Sequence, residues 1–296
     1  MQFLSLLLSL IFALVPAFPF LAPAQAAPPE ASLSQRAREM ITEEQLVEVA
    51  LAMEALQAEA EENNMLDFFP LTLLDDFWKS LAVAYTYSCF YSVEDGLTPA
   101  EALRSQFGAA GRSTVVSMTL YDNGQEPMKY DASQHFTWGF HSTRAVGLEK
   151  SRILQNNYEI AVFFKNPSVE FIKERYLDFL AEGQGEWEAR WNAWVEGGAL
   201  GLNMRELLLE ECADREGFDK HYSDDEIMDL WNNEKGRQAY LNTGLLGGIA
   251  FRQFRMAWDG GELIESYEYG ASTATQQRQF IFENTYLWNP TVRAVA

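Results

Sequence analysis

Residues 131–138 read Asp-Ala-Ser-Gln-His-Phe-Thr-Trp, and residues 228–237 read Met-Asp-Leu-Trp-Asn-Asn-Glu-Lys-Gly-Arg. Each stretch has the spacing of a helix that places its polar groups on one face. Helical spacing continues outward from both stretches over most of the 296-residue chain. We therefore predict a mainly α fold, a compact multi-helix domain.

Two regions depart from the helical pattern and predict minor β segments. Residues 114–121 alternate weakly and are rich in Val and Thr. The C-terminal tail, at residues 262–269 and 279–287, is richer in aromatic and β-branched residues. The predicted organisation is a signal peptide (1–26), a linker (27–32), an N-terminal helical segment (33–112) and a helical domain with the candidate site (113–296). The last two are expected to form one globular unit.

The N-terminus is typical of a targeting segment. Residues 3–21 are mostly apolar, and Ala24-Gln25-Ala26 fits the small-x-small pattern of a signal-peptidase site. A transmembrane anchor is the alternative, but Pro16 and Pro19 interrupt the roughly 20 apolar residues that a spanning helix needs. We predict cleaved export to the periplasm or the extracellular space, with no stable membrane anchor afterwards.

The formal net charge of −21 bounds the partners of the chain. Such a surface repels phosphate backbones, so a nucleic-acid partner is not expected. Divalent cations and neutral or cationic ligands remain compatible with it. A solubility adaptation to a cell envelope or a saline medium is the favoured explanation of the charge, and the sequence identifies no protein partner. The two cysteines, Cys89 and Cys212, allow one disulfide or two buried thiols.

The first stretch predicts a histidine with a carboxylate neighbour. Asp131 and His135 are four residues apart, and Trp138 lies about one turn further on. This spacing suits an oriented general base or a metal ligand. The alternative is that Asp131 caps the start of a helix and that His135 only packs near Trp138.

The second stretch places Asp229, Asn232 and Asn233 on one helical face. Asn is a poor helix former because its side chain competes for backbone hydrogen bonds. Two in succession indicate a ligand site or a specific polar network. The alternative is a helix that ends near Gly236, where asparagines cap the last groups. The chain contains no common zinc signature, no nucleophile elbow and no phosphate-binding loop.

At these residues the chain resembles an uncharacterised bacterial family that is often found in exported or toxin-like proteins. Its members carry Asp-Ala-Phe-Arg-His-x-x-Trp-Asn, then Ala-His-Glu, then Met-Asp-Leu-His-Asn-Asn-x-x-Gly-Arg. The matching positions, within residues 128–240, are Asp131, Ala132, His135 and Trp138, then Glu159, then Met228, Asp229, Leu230, Asn232, Asn233, Gly236 and Arg237. The resemblance implies that the two helices meet, with Glu159 as a third contributor.

Four positions depart from the family motifs. Gln134 replaces an arginine, Gly139 an asparagine, and Tyr158 and Trp231 each replace a histidine. The resemblance therefore implies a shared fold and site more than a shared reaction.

Two functions are consistent with these residues. The first is an exported hydrolase of lipid or envelope esters, with or without the assistance of a divalent cation. Its expected catalytic residues are His135 as base, Asp131, Glu159 and Asp229, and its expected substrate-binding residues are Asn232, Asn233, Trp138 and Arg237. The second is a non-catalytic envelope protein, in which the same residues form a buried network between helices.

Overall fold

The computed structural model of the protein describes residues 30–63, 76–121, 125–243, 249–264 and 271–284. These ranges are almost entirely helical and contain no β-strand, so the mainly α fold is confirmed. The helices are α1 (Glu30–Glu39), α2 (Glu43–Glu62), α3 (Asp76–Glu94), α4 (Pro99–Leu103), α5 (Ala110–Leu120), α6 (Pro127–Val146), α7 (Leu148–Ala181), α8 (Glu186–Glu211), α9 (Arg215–His221), α10 (Asp224–Thr243), α11 (Ala250–Asp259) and α12 (Ala271–Asn284). A π-helical turn, Arg104–Ala109, joins α4 to α5.

Two helix starts follow from capping residues in the sequence. Thr98 accepts a hydrogen bond from the Glu101 backbone N–H, and the Glu101 carboxylate accepts one from the Thr98 backbone N–H. At the start of α10, the Glu226 carboxylate accepts a hydrogen bond from the Ser223 backbone N–H. These bonds satisfy donors that would otherwise lack partners at the ends of the helices.

The prediction of a β segment at residues 114–121 is wrong, because helix α5 continues to Leu120. β-Branched residues have only a small disadvantage in a helix, and tertiary packing readily overcomes it. Here the Thr114 hydroxyl donates to the Ala110 carbonyl, and the Thr119 hydroxyl donates to the carbonyl four residues before it. The polar atoms of the threonines are thus satisfied within the helix.

The β segments expected in the tail are also wrong where the structure describes them. Residues 279–284 belong to α12, and residues 262–264 are not in a strand. The aromatic residues that suggested a strand instead contact other helices: the Phe282 ring lies 5.3 Å from that of Phe218, and the Phe280 ring lies 5.4 Å from that of Trp231. Residues 265–269 and 285–287 lie outside the described residues.

The leader expected at residues 1–26 also lies outside the described residues, and α1 begins at Glu30, inside the expected linker. In the described part of the chain, no helix has both the length and the hydropathy that a membrane span requires. Cys89 and Cys212 are buried thiols and are not joined in a disulfide.

Contacts divide the chain into two compact units. Unit 1 comprises the described residues of 1–91 and 160–208, and unit 2 comprises those of 92–159 and 209–296. The border expected near residue 112 stays a prediction. In unit 1, α2 packs on α8, where a Cβ on Gly198 would contact Val49 and Met53.

Unit 2 is organised around α6, which packs along α10 and also contacts α5 and α11. Ala132 and Phe136 of α6 form a buried core cluster with Phe254 of α11 and with Leu263. Because Asp131 and His135 are the chain neighbours of these core residues, they lie on the adjacent face of α6. All candidate residues named in the sequence analysis belong to unit 2.

Candidate functional site

Three side chains from two helices meet at one edge of the His135 ring. The Nε2 atom of His135 lies 3.3 Å from Asp229 Oδ1 and 3.7 Å from Asp131 Oδ1. One potential ligand atom from each residue lies within 4.8 Å of the others. The two polar faces seen in the sequence are therefore parts of a single cluster, which we call the Asp–His–Asp cluster.

The opposite edge of the ring is held by two buried side chains. Asn233 Nδ2 lies 3.3 Å from His135 Nδ1, and Glu159 Oε1 lies 3.9 Å from the same nitrogen. Asn233 is fully buried, and Glu159, on α7, is 4% exposed. Both nitrogens of His135 thus face polar groups, and three helices supply them.

The helix-end interpretations of both sequence stretches are wrong. Asp131 does not cap a helix, because α6 begins one turn earlier, at Pro127. The asparagines do not terminate α10 near Gly236, because that helix continues to Thr243. The polar groups are therefore inside helices, where they face other helices.

Burial dominates the electrostatics of the cluster. It lowers the pKa of His135 to about 4, against the opposing effect of the hydrogen bond with Asn233. Burial and then the charge of Asp225 raise the pKa of Asp131 to about 7. Burial and the charges of Asp131 and Glu159 raise the pKa of Asp229 well above its usual range. With a pKa of about 4, the imidazole is neutral at neutral pH, and burial together with the neighbouring carboxylates disfavours the charged form of Asp229.

Asn232 and Trp138 direct their polar atoms away from the cluster. Asn232 Nδ2 donates to the Ile264 carbonyl, and Asn232 Oδ1 accepts from the Ile264 backbone N–H. Trp138 Nε1 donates to the Ser105 carbonyl, and the Trp138 ring lies 6.3 Å from the His135 ring. Asn232 anchors the segment after α11, and Trp138 forms part of the packing beside His135.

Arg237 belongs to a second buried network, beyond the cluster. Its Nε donates to Glu234 Oε2 at 2.7 Å, and its Nη1 donates to Gln155 Oε1. Arg152 Nη2 also donates to Glu234, at 2.7 Å. We call Arg152, Gln155, Glu234 and Arg237 the arginine network. Two of its members, Arg152 and Gln155 on α7, were not predicted from the sequence. They do share one helical face with Glu159, by the spacing i, i+3, i+7.

The donor chemistry of the Asp–His–Asp cluster fits a divalent cation. Carboxylate oxygens and an imidazole nitrogen are ligands of Zn²⁺, Mn²⁺ and Fe²⁺ in proteins. The second nitrogen of a metal-bound histidine is usually held by a carboxylate or another polar group. Here Asn233 and Glu159 lie beside the second nitrogen of His135, Nδ1. The side chain of Asp131 is 27% exposed, so the cluster reaches the protein surface on that side.

Comparison of the chain with protein-family models, with curated proteins and with solved structures finds no match. The chemistry of the site is therefore inferred from its own residues.

Proposed function

We propose that unit 2 binds one divalent cation through Asp131, Asp229 and the Nε2 atom of His135, and that it uses the cation to hydrolyse an ester. The observation that carries the proposal is the approach of three ligand atoms to within 4.8 Å of one another. Three protein ligands leave coordination positions for water and substrate, as in catalytic metal sites.

His135 fits a ligand better than the general base expected from the sequence. A base works best when its pKa lies near the working pH, whereas burial lowers the pKa of His135 to about 4. A metal ion binds the neutral imidazole, which is the form that burial favours. Burial and then repulsion raise the pKa values of Asp131 and Asp229, and the positive charge of a cation opposes both effects.

The proposed reaction needs no other cofactor. The cation lowers the pKa of a water molecule and polarises the ester carbonyl. Water adds to the carbonyl carbon, the acyl C–O bond breaks, and a carboxylic acid and an alcohol are released. The proton that the attacking water loses passes to the departing alkoxide, so the step needs no further reactant.

The substrate class follows from charge and from the proposed location. With a net charge of −21, the protein repels polyanions, so we propose a neutral or cationic ester and not a nucleic acid. The apolar leader supports export to the periplasm or the extracellular space, where lipids and other envelope esters are available. We also propose, from the two motif stretches, that the chain belongs to the exported or toxin-associated family that it resembles.

One observation favours the non-catalytic alternative. Asn232 and Arg237, two of the residues expected to bind substrate, have buried structural partners in Ile264 and Glu234. Helix α10 thus uses part of its polar face for packing alone. Under this alternative the Asp–His–Asp cluster would be one more buried polar contact between α6 and α10.

Hydrolysis of 4-nitrophenyl butyrate, measured with and without added Mn²⁺ or Zn²⁺, tests the proposal. We expect cation-dependent turnover that falls at least about 100-fold in His135→Ala and in Asp229→Asn. His141→Ala is the matched control, since it removes another imidazole from α6 outside the cluster. Full turnover by His135→Ala would contradict the proposal. Cluster variants that change only the melting temperature, with no cation binding in the wild type, would establish the alternative.

A further inference from the structure

The two nitrogens of His135 face different polar groups. Nε2 faces the carboxylates of Asp131 and Asp229, and Nδ1 faces Asn233 and Glu159. A neutral imidazole carries one proton, so one nitrogen donates and the other offers a lone pair. Only the nitrogen with the lone pair can bind a cation.

The Asn233 amide decides which nitrogen that is. When Asn233 Nδ2 donates to Nδ1, as in the structure, the imidazole proton lies on Nε2, which faces Asp229 Oδ1 at 3.3 Å. In this arrangement Nε2 cannot bind a metal ion. The Asn233 Oδ1 atom, meanwhile, is buried and has no hydrogen-bond partner among the described residues.

Rotation of the amide by half a turn reverses this arrangement. It places Oδ1 beside Nδ1, where Oδ1 accepts the Nδ1 proton and gains the partner that it lacks. The lone pair then lies on Nε2, between the two aspartates. Amide and imidazole therefore have two compatible states, and only one of them can hold a cation.

We propose that Asn233 is a positioning residue that switches its amide when a cation binds, so that His135 changes from the Nε2–H to the Nδ1–H tautomer. Glu159 supports the cation-bound state, because its carboxylate lies 3.9 Å from Nδ1 and attracts a proton there. This inference rests on the proposed cation site and deepens it, but it is independent of the reaction. Neither Asn233 nor Glu159 contacts the cation in this scheme.

Nitrogen-15 NMR of His135 and Zn²⁺ binding calorimetry, both on the full chain, test the switch. The wild type is expected to show Nε2–H without metal and Nδ1–H with saturating Zn²⁺. Asn233→Leu removes both amide atoms and should weaken Zn²⁺ binding about 10- to 100-fold. Asn233→Asp supplies only acceptors once its carboxyl is ionised, and should then give Nδ1–H even without metal. Asn192→Asp, the same change in unit 1, is the control and should match the wild type.

The outcomes separate this inference from the hydrolase proposal. Zn²⁺ binding with the expected tautomer change, but without ester hydrolysis, supports the switch and overturns the hydrolase. Wild-type Zn²⁺ affinity in a folded Asn233→Leu protein, or an Nδ1–H tautomer in the metal-free wild type, overturns the switch and leaves the cation site intact. Circular dichroism establishes that each variant is folded.

Discussion

Gly139 on α6 lies directly against the backbone carbonyl of Asn233 on α10, so closely that a Cβ at residue 139 would collide with that oxygen. The contact is reciprocated, because a Cβ on Gly236 of α10 would collide with the backbone carbonyl of Phe136 on α6. Two glycines therefore permit a close crossing of the two helices. The crossing brings His135 and Asp229 together.

Gly139→Ala and Gly236→Ala are expected to destabilise unit 2. Alanine normally favours a helix over glycine by about 1 kcal/mol, but here its methyl group meets backbone that cannot rotate away. We expect a net loss of about 1 to 3 kcal/mol in the free energy of unfolding, measured by urea denaturation. Gly108→Ala is the control, since its Cβ would only touch Arg104 Cγ at 3.9 Å. A stabilised Gly139→Ala protein would show that the crossing is looser.

The sequence predicts contacts within a helix better than contacts between helices. The spacing of Asp131 and His135 placed them on one face, and this was correct because helical geometry is local. The approach of His135 to Asp229 joins residues 94 positions apart in the numbering and leaves no periodic signal. It was expected only from the resemblance, which also singled out Glu159.

The strand propensity of individual residues gave wrong predictions where packing between helices determines the structure. Val and Thr near residue 115 and the aromatic residues near residue 281 favour strands on average. Their hydroxyls and rings find partners within or between helices, so the helical state is retained. The contact between Arg237 and Gln155 could not be predicted from helical spacing either, because the two residues are 82 positions apart along the chain.

Glu234→Gln is expected to cost about 3 to 5 kcal/mol of stability, because it removes the buried carboxylate that pairs with both Arg152 and Arg237. Glutamine keeps the shape and one acceptor oxygen, so the loss reports on charge. Chemical denaturation measures it. Glu188→Gln, at an exposed position of α8, should change stability by less than about 0.5 kcal/mol. An equal effect of both changes would contradict a stabilising role for the network.

Acid should weaken the wild type through the same glutamate. Burial alone would raise the pKa of Glu234, but the charges and hydrogen bonds of Arg237 and Arg152 outweigh it and lower that pKa to about 2. The stabilisation is therefore complete above the ordinary pKa near 4.5 and disappears as the pH falls toward 2. Protonation of Glu234 should lower the free energy of unfolding by about 3 kcal/mol. The stability difference between wild type and Glu234→Gln should shrink over this range, and a constant difference would refute the assignment.

Asn232→Ala separates anchoring from cation binding. It removes both hydrogen bonds to the Ile264 backbone and leaves that buried N–H and carbonyl unpaired. We expect a loss of about 1 to 3 kcal/mol in unfolding free energy, with unchanged Zn²⁺ affinity. Calorimetric titration of the folded variant checks the second part. Zn²⁺ binding that fell as far as in Asn233→Leu would place Asn232 in the site after all.

Asp229→Asn should abolish stabilisation by a cation without unfolding the protein. Burial and the charges of Asp131 and Glu159 raise the pKa of Asp229 and so disfavour its carboxylate, and we expect an uncharged amide of the same shape to replace it with a change within about 1 kcal/mol. A cation at 100 times its Kd should stabilise the wild type by about 2.7 kcal/mol and raise its Tm. Thermal unfolding with Mn²⁺ and Zn²⁺ measures both effects, and His141→Ala should respond to the cations as the wild type does. An equal rise in Tm for Asp229→Asn would mean that the cation binds elsewhere. A large loss of metal-free stability would instead show that Asp229 is charged and paired, so that the cluster serves the fold more than a ligand.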